Sequence, residues 1–404
     1  MKWMRAVAAL LLLAMHAAPA AAQDADAPEP SDEGWQLRWR EHPEVTWGDV
    51  LRLSLRANLQ LDTRRSQMAL ERDGDSFDVG RRRLALHGRV GPRLGFEVER
   101  EFESSEPWRD VFASYELTRN LEVRAGRFKL PFGLEETTGG SQLKFLYRSN
   151  VSRRLAPGRD PGVLAQGRLG SKRIGYEIGV FAHDGNNARP KNTTRVFGDH
   201  TVAGRIVVEP FGKSHKALRG LKVGAAMTAS PLAEGFPSIR GRSLFGTSYY
   251  DADVWVRGQR RRTGVEAQWR RGPVWFGSEY IRVSDDRRRQ SADNSDLPAL
   301  VAHGWYMSGA WTLALPAGGT LRPAARIERL TFGSAAGAAN SSTAPRAEVV
   351  LGNREAAITL GLTWRPNRWS EVQANVVREN IGDAAAPFPH LRVLSQIVRL
   401  QLSL

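Results

Sequence analysis

The amino-acid sequence predicts an all-β fold: a transmembrane antiparallel β-barrel of about 16 strands with one long loop that folds inward. Three observations favour this fold. Apolar and polar residues alternate with a period of two over segments of about ten residues. Short and long connections separate these segments. Beyond residue 22, no apolar run approaches the roughly 18 residues that a membrane-spanning helix needs.

The first 22 residues predict a secretory signal peptide. Lys2 and Arg5 precede an apolar run from Ala6 to Met15, and the small residues before Gln23 suit a cleavage site. We therefore divide the chain into a signal peptide (1–22), a short periplasmic N-terminal segment (23–47) and an outer-membrane barrel (48–404). Loss of the two N-terminal cations changes the formal net charge from +15 to +13. We expect export to a bacterial outer membrane.

Composition excludes several kinds of site. The chain has no cysteine, which rules out disulfides, thiolate metal sites and cysteine nucleophiles. No HExxH, GxSxG, Walker or CxxC motif occurs, and the histidines are scattered without metal-ligand spacing, so no cofactor is expected. A lone His183-Asp184 pair is more often a loop hydrogen bond than a catalytic dyad. An enzyme built into the barrel wall stays open as an alternative.

Alternation is clearest at the start of the predicted barrel. Apolar residues at odd positions from Leu51 to Leu61 alternate with polar residues from Arg52 to Asp62. Similar runs continue to Leu404. Short connections occur at Gly91-Pro92, Thr118 to Asn120, Arg271 to Pro273 and Pro366 to Arg368, and long polar ones at 183–199, 285–297 and 333–346.

Lipid cannot hydrogen-bond a peptide group, so strands in a bilayer must form a sheet without a free edge. With about 16 strands, the interior of a closed barrel is too wide for side chains to fill and becomes an aqueous channel. A soluble sandwich would pack its apolar faces on a core, and a propeller would show a repeat of roughly 40 to 50 residues. No such repeat is visible.

The polar face of the early strands is rich in arginine, which accounts for 50 of the 58 cationic residues. A guanidinium group matches two oxygens of a phosphate or carboxylate, and on the lipid side it would cost about 2–4 kcal/mol near the midplane. Codon usage in a GC-rich genome would also produce this abundance, and ion pairs with lumen glutamates would occupy roughly half of the arginines. The strand candidates for an anion pathway are Arg52, Arg56, Arg81, Arg83, Arg89 and Arg124.

The connection from Pro131 to Pro161 breaks the strand rhythm, with one possible short helix near residues 142–153. If it folds into the barrel, it would form a positive constriction that attracts anions. If it lies outside, it is a solvated surface loop. Its cationic candidates are Lys144, Arg148, Arg153, Arg154 and Arg159.

Five segments, in order, carry a family resemblance: Arg81-Arg82-Arg83-Leu84 with Phe96-Glu97-Val98-Glu99, Trp108-Arg109-Asp110-Val111-Phe112, the stretch GRFKLPFGLE from Gly126 to Glu135, Tyr147-Arg148-Ser149, and Pro157-Gly158-Arg159-Asp160 with Gly162-Val163. The chain resembles the phosphate-selective porin O and P family over about residues 50–182. The resemblance implies a 16-stranded trimeric barrel that passes phosphate or polyphosphate through an arginine- and lysine-lined pore narrowed by the third loop.

The motif-matched cations are Arg127, Lys129 and Arg148. The first two share the phase of Leu121 and Val123, so they would face a pore only if the phase slips or the strand ends near Gly126. The chain ends in Leu404, whereas barrels of this family usually end in an aromatic residue.

The expected function is therefore an anion-preferring diffusion channel for phosphate or polyphosphate-like oxyanions. The alternatives are a general low-selectivity porin and, less favoured, an outer-membrane enzyme. Expected partners are small inorganic anions, outer-membrane lipid and lipopolysaccharide, and two further copies in a homotrimer. The triplets Arg260 to Arg262 and Arg287 to Arg289 also suggest nucleic-acid binding, but export argues against it. We expect both triplets at strand ends or in loops, facing lipopolysaccharide or the acids Asp285 and Asp286.

Overall fold

A computed structural model describes residues 34–39, 42–68, 76–102, 104, 106–187, 200–211, 215–235, 239–251, 254–316, 318–333, 346–348, 350, 352–383 and 390–404. The predicted signal peptide lies outside these residues, as do parts of the long connections at 183–199 and 333–346. Within the described residues, no helix is both long enough and apolar enough to span a membrane.

Sixteen described strands form one closed antiparallel barrel. The first eight are β3 (Leu51–Met68), β4 (Ser76–Val90), β5 (Leu94–Glu101), β6 (Trp108–Thr118), β7 (Leu121–Lys129), β8 (Arg159–Leu169), β9 (Ile174–Phe181) and β10 (Thr201–Val208). The other eight are β11 (Lys222–Gly235), β14 (Val256–Arg271), β15 (Val274–Arg287), β16 (Leu297–Trp311), β18 (Thr320–Phe332), β19 (Asn353–Arg365), β20 (Ser370–Asp383) and β21 (His390–Ser403). A two-residue strand, β17 (Leu313–Ala314), continues β16 along β18.

The barrel closes where its last strand meets its first. β21 pairs antiparallel with β3 from Met68 opposite Val393 to Asn58 opposite Ser403. Below that point β3 pairs instead with β2 (Pro43–Trp47), which forms a hairpin with β1 (Trp35–Trp39). The predicted 16-stranded transmembrane barrel is confirmed.

The two faces of the wall have the polarity that a bilayer demands. On β19, Leu360 points outward and is 58% exposed, whereas Glu379 points inward from β20 and is 0% exposed. Ile358 and Leu362 share the outward face with Leu360. Apolar side chains outside and polar ones inside reverse the arrangement of a water-soluble protein.

Connections at one end of the barrel are short and those at the other end are long. The short end contains the turns after β4, β6, β14 and β19, where the sequence predicts them. At the first of these, Gly91 has a φ of 57°, a conformation that glycine adopts without strain.

Two long connections reach into the barrel. The first, residues 130–158, contains α1 (Leu134–Thr137), a 3₁₀ turn (Gly140–Gln142) and α2 (Asn150–Leu155), and we call it the constriction loop. The second, between β11 and β14, contains the hairpin of β12 (Arg240–Arg242) and β13 (Ser248–Asp251). This inner hairpin has no counterpart in the sequence prediction. The two loops contact each other and fill much of one side of the interior.

Candidate anion pathway

The constriction loop begins with apolar residues that the barrel interior buries. Leu130 and Phe132 are fully buried, and Phe132 packs near Gly264 of the wall. Gly133 has a φ of 77°, and after it the chain enters α1. The backbone N–H of Leu134 donates to a carboxylate oxygen of Glu279 on β15 at 3.0 Å. The wall thus fixes the position at which the loop enters the lumen.

Two of the predicted pathway cations bind the loop's own backbone. Nε of Arg148 donates to the carbonyl oxygen of Glu135 at 2.7 Å, and an Nη donates to that of Thr138 at 3.0 Å. Lys129 Nζ donates to the same Thr138 carbonyl at 2.9 Å. Glu136 lies 3.5 Å from Arg148 Nε. Both cations therefore hold the shape of the loop while their charge remains beside the lumen.

The next two candidates connect α2 to the inner hairpin. Arg153 donates to the carbonyl oxygen of Leu244 at 3.4 Å, and Arg154 donates to those of Arg242 and Ser243 at 3.0 Å. Burial lowers the pKa of Arg153, and that of Arg154 to about 10. The structure places these two arginines between the loops and away from the open lumen.

Carboxylates of the wall anchor the start of α2. The backbone N–H of Asn150 donates to Glu328 at 2.6 Å, and its side-chain amide donates to Glu355 at 2.5 Å and to Glu379 at 3.2 Å. The inner hairpin reaches the same group, because Leu244 N–H donates to Glu379 at 2.6 Å. The acids of β18, β19 and β20 thus hold both loops on one side of the barrel.

A cavity of about 450 Å³ remains on the opposite side, between the tip of the constriction loop and the wall formed by β3–β9. Its lining contains eight cationic and four acidic side chains, so the excess charge is positive. The cations are Arg56, Arg81, Arg83, Arg109, Arg124, Lys129, Arg148 and Arg159, and the acids are Glu97, Glu99, Asp110 and Glu177.

Several of the lining arginines form ion pairs. Arg83 contacts Glu99 and Glu101 at 3.0 and 2.9 Å, and Arg159 contacts Asp110 at 2.7 Å. Oxygen atoms of Glu97, Glu99 and Asp110 lie within 4.8 Å of one another, but Arg83 and Arg159 bind two of these carboxylates. This cluster is therefore part of an ion-pair network, and we assign it no metal.

Three cations of the cavity, Arg56, Arg109 and Lys129, form no ion pair in the part of the chain that the structure describes, and Lys129 already donates to the Thr138 carbonyl. Arg56 is exposed to the lumen, and Nε of Arg109 has no hydrogen-bond partner. Arg124 differs, because it lies 3.4 Å from Glu122 and stacks on Phe112 at 4.2 Å from the ring centre. Arg81 has only a weak contact, at 3.6 Å from Glu101. Arg56 and Arg109 are the cations most available to a passing anion.

Three further candidates lie outside this cavity. Arg52 faces Glu44 of the N-terminal hairpin at 3.7 Å, and Arg89 pairs with Glu116 near the short-turn end. Arg127 pairs with Glu106 of the loop after β5 and sits opposite Val111 on the outward face. Lys129, from the same motif, reaches the lumen. The two residues therefore have different surroundings, although they share one phase in the sequence.

A second cationic chamber, of about 730 Å³, lies on the short-turn side of the constriction loop. Lys144 projects into it from the loop. Burial, together with the guanidinium groups of Arg322 and Arg270, lowers the pKa of Lys144 to about 8. Sequence reasoning missed the other cations here, although Arg322 alternates with the apolar Leu321 and Pro323. The strand-borne and turn cations are Arg270, Arg322, Arg365 and Arg368, opposed by Glu135 and Glu371.

The sequence profile of the family described as phosphate-selective porin O and P matches residues 53–386. This chain belongs to that family. The porin is therefore a channel-forming barrel of the outer membrane. The match extends the resemblance, which the motifs carry over residues 50–182, across nearly the whole barrel. No protein of curated function matches the sequence of this porin.

Solved structures share the fold of this porin at low sequence identity. OmpT of Vibrio cholerae, in its trimer form, is 12% identical with a TM-score of 0.58, over 88% of this chain and 100% of that one. An anion-selective porin from Comamonas acidovorans is 10% identical with a TM-score of 0.57, over 88% and 100%. The outer-membrane channel DcaP of Acinetobacter baumannii is 13% identical with a TM-score of 0.56, over 88% and 98%. These likenesses show the shared barrel architecture.

The triplet Arg287 to Arg289 lies at the end of β15 and in the turn after it, as the sequence predicts, whereas the triplet Arg260 to Arg262 lies within β14 and is divided between the two faces of the wall, which corrects the expectation for it. Arg260 and Arg262 are buried inside β14 and bind Asp184, at 2.9 Å for Arg260. Although burial alone would raise it, the pKa of Asp184 is held low by Arg262 and Arg260. Arg261 points outward and pairs with Asp286 at 3.4 Å.

The two residues of the His183-Asp184 pair bind different partners. Nδ1 of His183 lies 3.1 Å from a carboxylate oxygen of Asp160, and Asp184 binds the arginines. Neither residue orients the other, which a catalytic dyad would require.

Proposed function

We propose that this porin is a passive, anion-preferring diffusion channel whose favoured solutes are oxyanions such as phosphate or polyphosphate. The observation that carries the proposal is the cationic surplus around the tip of the constriction loop, with Arg56 and Arg109 free of ion pairs among the described residues. A guanidinium group keeps its charge at any physiological pH and presents parallel N–H donors to two oxygens. Permeating anions would exchange water for these donors.

The mechanism is electrostatic. Positive side chains lower the energy of an anion inside the narrow passage and raise that of a cation, so selectivity follows from the sign of the charge. The first cavity and the second chamber provide two weak sites in series on either side of Gln142, which lines both. Weak sites in series allow each ion to leave again. No cofactor and no catalytic step are required.

A general low-selectivity porin is the second candidate. It is favoured by the ion pairs of Arg83 and Arg159, which neutralise part of the positive charge at the wall. In that case the arginines would stabilise the barrel and the channel would pass small ions of either sign.

Assembly of the porin, cleavage of its N-terminal segment and contact with the membrane are further inferences. We infer a homotrimer, consistent with the trimer form of the Vibrio cholerae protein of the same fold. We infer cleavage of residues 1–22 on export and contact of the outer wall with outer-membrane lipid and lipopolysaccharide. Chemical cross-linking of the porin in membranes tests the first of these. The mass of the exported chain tests the second.

Ion selectivity in a planar bilayer tests the function. The purified porin is reconstituted, and the reversal potential is measured in a chloride gradient, followed by conductance as phosphate is added. We expect a reversal potential of the sign set by anions and a saturable block by phosphate. An ohmic pore with weak selectivity and no block would leave the low-selectivity candidate. The same conductance measurement with added polyphosphate shows whether long oxyanions block the channel as short ones do.

A further inference from the structure

The outward wall of the barrel carries a cluster of three arginines and one histidine, which we call the lipid-face cluster: Arg282 on β15, His303 on β16, Arg329 on β18 and Arg354 on β19. Alternation fixes their direction. Ile281 and Val283, on either side of Arg282, are buried inside the barrel, and Arg282 itself is exposed. Arg329 and Arg354 are likewise exposed between inward-facing neighbours.

Strand register makes the cluster contiguous. Arg282 sits directly opposite His303, and His303 sits opposite Thr331. Thr331 in turn sits opposite Arg354, and Arg329 is two positions from Thr331 on the same face. Directly opposed side chains are about 5 Å apart at Cβ, and diagonal ones about 7 Å. Three guanidinium groups therefore share a single patch of the wall.

The cluster has no countercharge. In the described parts of the chain, the guanidinium groups of Arg282, Arg329 and Arg354 make no ion pair or hydrogen bond. Arg261, an outward arginine one strand away on β14, differs because it has Asp286 at 3.4 Å. Like charges on neighbouring strands destabilise a sheet unless something else neutralises them. The wall thus presents a positive charge that the described residues leave unbalanced.

The position along the barrel axis is that of a membrane boundary. Towards the short-turn end, the same face carries the exposed apolar residues Met307, Ile327 and Ile358. Tyr280 sits opposite Trp305, and Trp305 sits opposite Arg329, so aromatic side chains lie at the edge of the cluster that borders this apolar surface. Aromatic side chains favour the membrane–water interface, and arginines inside the hydrocarbon would cost about 2–4 kcal/mol each. The cluster therefore lies at headgroup level, on the side of the long loops.

We propose that the lipid-face cluster binds the phosphate groups of an anionic glycolipid of the outer leaflet, that is, lipopolysaccharide. The proposal rests on the porin's location in the outer membrane but not on its anion selectivity. A phosphorylated glycolipid supplies both parts that the wall lacks: phosphate oxygens for the three guanidinium groups and acyl chains for the apolar face below. A second copy of the chain could neutralise the lipid-face cluster only by presenting carboxylates at this level.

The first test needs no variant. The full-length porin, purified in detergent, is titrated with lipid A carrying both phosphates and with dephosphorylated lipid A, and bound lipid is counted by native mass spectrometry. We expect the phosphorylated form to bind about tenfold more tightly or better, since charge-assisted hydrogen bonds are lost without phosphate. Equal affinities would overturn the proposal. Inorganic phosphate at millimolar concentration should not displace the lipid, and displacement would show a site for free phosphate instead.

A variant locates the site. The triple variant R282Q/R329Q/R354Q is compared with R261Q, which removes an outward arginine that already has an acidic partner. We expect the triple variant to lose the preference for phosphorylated lipid A and R261Q to keep it. The reverse result, or an unchanged triple variant, would overturn the assignment. If the triple variant dissociates trimers while lipid binding is unaffected, the face is a subunit contact and the proposal is wrong.

Conductance separates this inference from the proposed function. The three arginines point away from the lumen, so the reversal potential of the triple variant should equal that of the wild type. Heat-modified mobility on gels confirms that the variant is folded. If it is not folded, the single variant R329Q replaces it. We expect R329Q to lose part of the preference for phosphorylated lipid A, and an unchanged preference would contradict the proposal.

Discussion

Arg399 on the last strand of the barrel binds Asp62 on the first strand through two hydrogen bonds, Nε to Oδ1 at 2.7 Å and an Nη to Oδ2 at 2.6 Å. A third donor of the same guanidinium reaches the carbonyl oxygen of Leu146 in the constriction loop at 3.0 Å. All three contacts are buried. One side chain therefore joins the closure of the barrel to the loop that narrows it.

Replacing Asp62 should destabilise the barrel severely. In D62N the buried Arg399 keeps its charge but loses its partner, and breaking a buried ion pair costs about 3–5 kcal/mol. We expect the denaturant midpoint of the detergent-folded porin to fall, measured by the shift between folded and unfolded bands on gels. R89Q is the control, because Arg89 and Glu116 are about half exposed and such pairs are worth about 1 kcal/mol or less. Equal effects of the two changes would contradict the structural role of the buried pair.

Arg109 should contribute directly to anion selectivity. It lines the first cavity without an ion-pair partner among the described residues, so R109Q removes a free positive charge from the pathway. A charge near a hydrated ion is worth about 0.5–1 kcal/mol, and the anion-to-cation permeability ratio should fall about two- to fivefold. R378Q removes the same charge from the outward face and should leave the ratio unchanged. An unaltered ratio in R109Q would place this arginine outside the ion pathway.

Arg148 should act on the loop more than on the charge of the lumen. In R148M the carbonyl oxygen of Glu135 loses its Arg148 donor, at about 1–3 kcal/mol for a buried group left unpaired, and that of Thr138 keeps only Lys129. We expect higher open-channel noise and a larger single-channel conductance. R56M also removes a cation from the cavity, but it leaves the loop's hydrogen bonds intact. It should lower selectivity while the noise stays at the wild-type level, and similar traces from both variants would argue against the loop's dependence on Arg148.

Selectivity should depend on pH around the pKa of Lys144. With a pKa lowered to about 8, the ammonium group is mostly charged at pH 7 and mostly neutral at pH 9. Anion preference should therefore decline as pH rises through this range, measured by the reversal potential in a fixed chloride gradient. K144M should start from a lower preference and show no change between pH 7 and 9. A wild-type response that K144M retains would assign the titration to another group.

The strands could be predicted from the sequence because lipid on one side and water on the other impose a period of two. Phase alone could not place Arg109. It shares the phase of Val111, but pairing between β5 and β6 shifts between Val98 and Arg100, a bulge that lets Arg109 and Asp110 both line the cavity. Gly126, with a φ of 134°, directly precedes Arg127, which lies on the outward face, whereas Lys129 two residues later reaches the lumen.

The anchoring of the loops could not be predicted either. Asn150 meets Glu355 and Glu379 across 205 and 229 residues of chain, and neither the spacing nor the local pattern of the sequence marks such partners. The second chamber could not be predicted for the same reason, since Lys144 from the loop meets Arg322 only after closure of the barrel. The cationic composition of the pathway was visible in the sequence, whereas the division of its arginines into paired and unpaired ones depends on contacts between distant strands.

The two inner loops lie to one side of the barrel axis, so the two sides of the lumen differ in chemistry. Carboxylates of β15–β20 stand on one side, and the guanidinium groups of β3–β8 stand on the other, so an electric field runs across the channel as well as along it. A solute with its own dipole enters such a field with one end preferred toward the arginines. The passage therefore acts on the orientation of a dipolar solute across the channel, in addition to the charge that the solute carries.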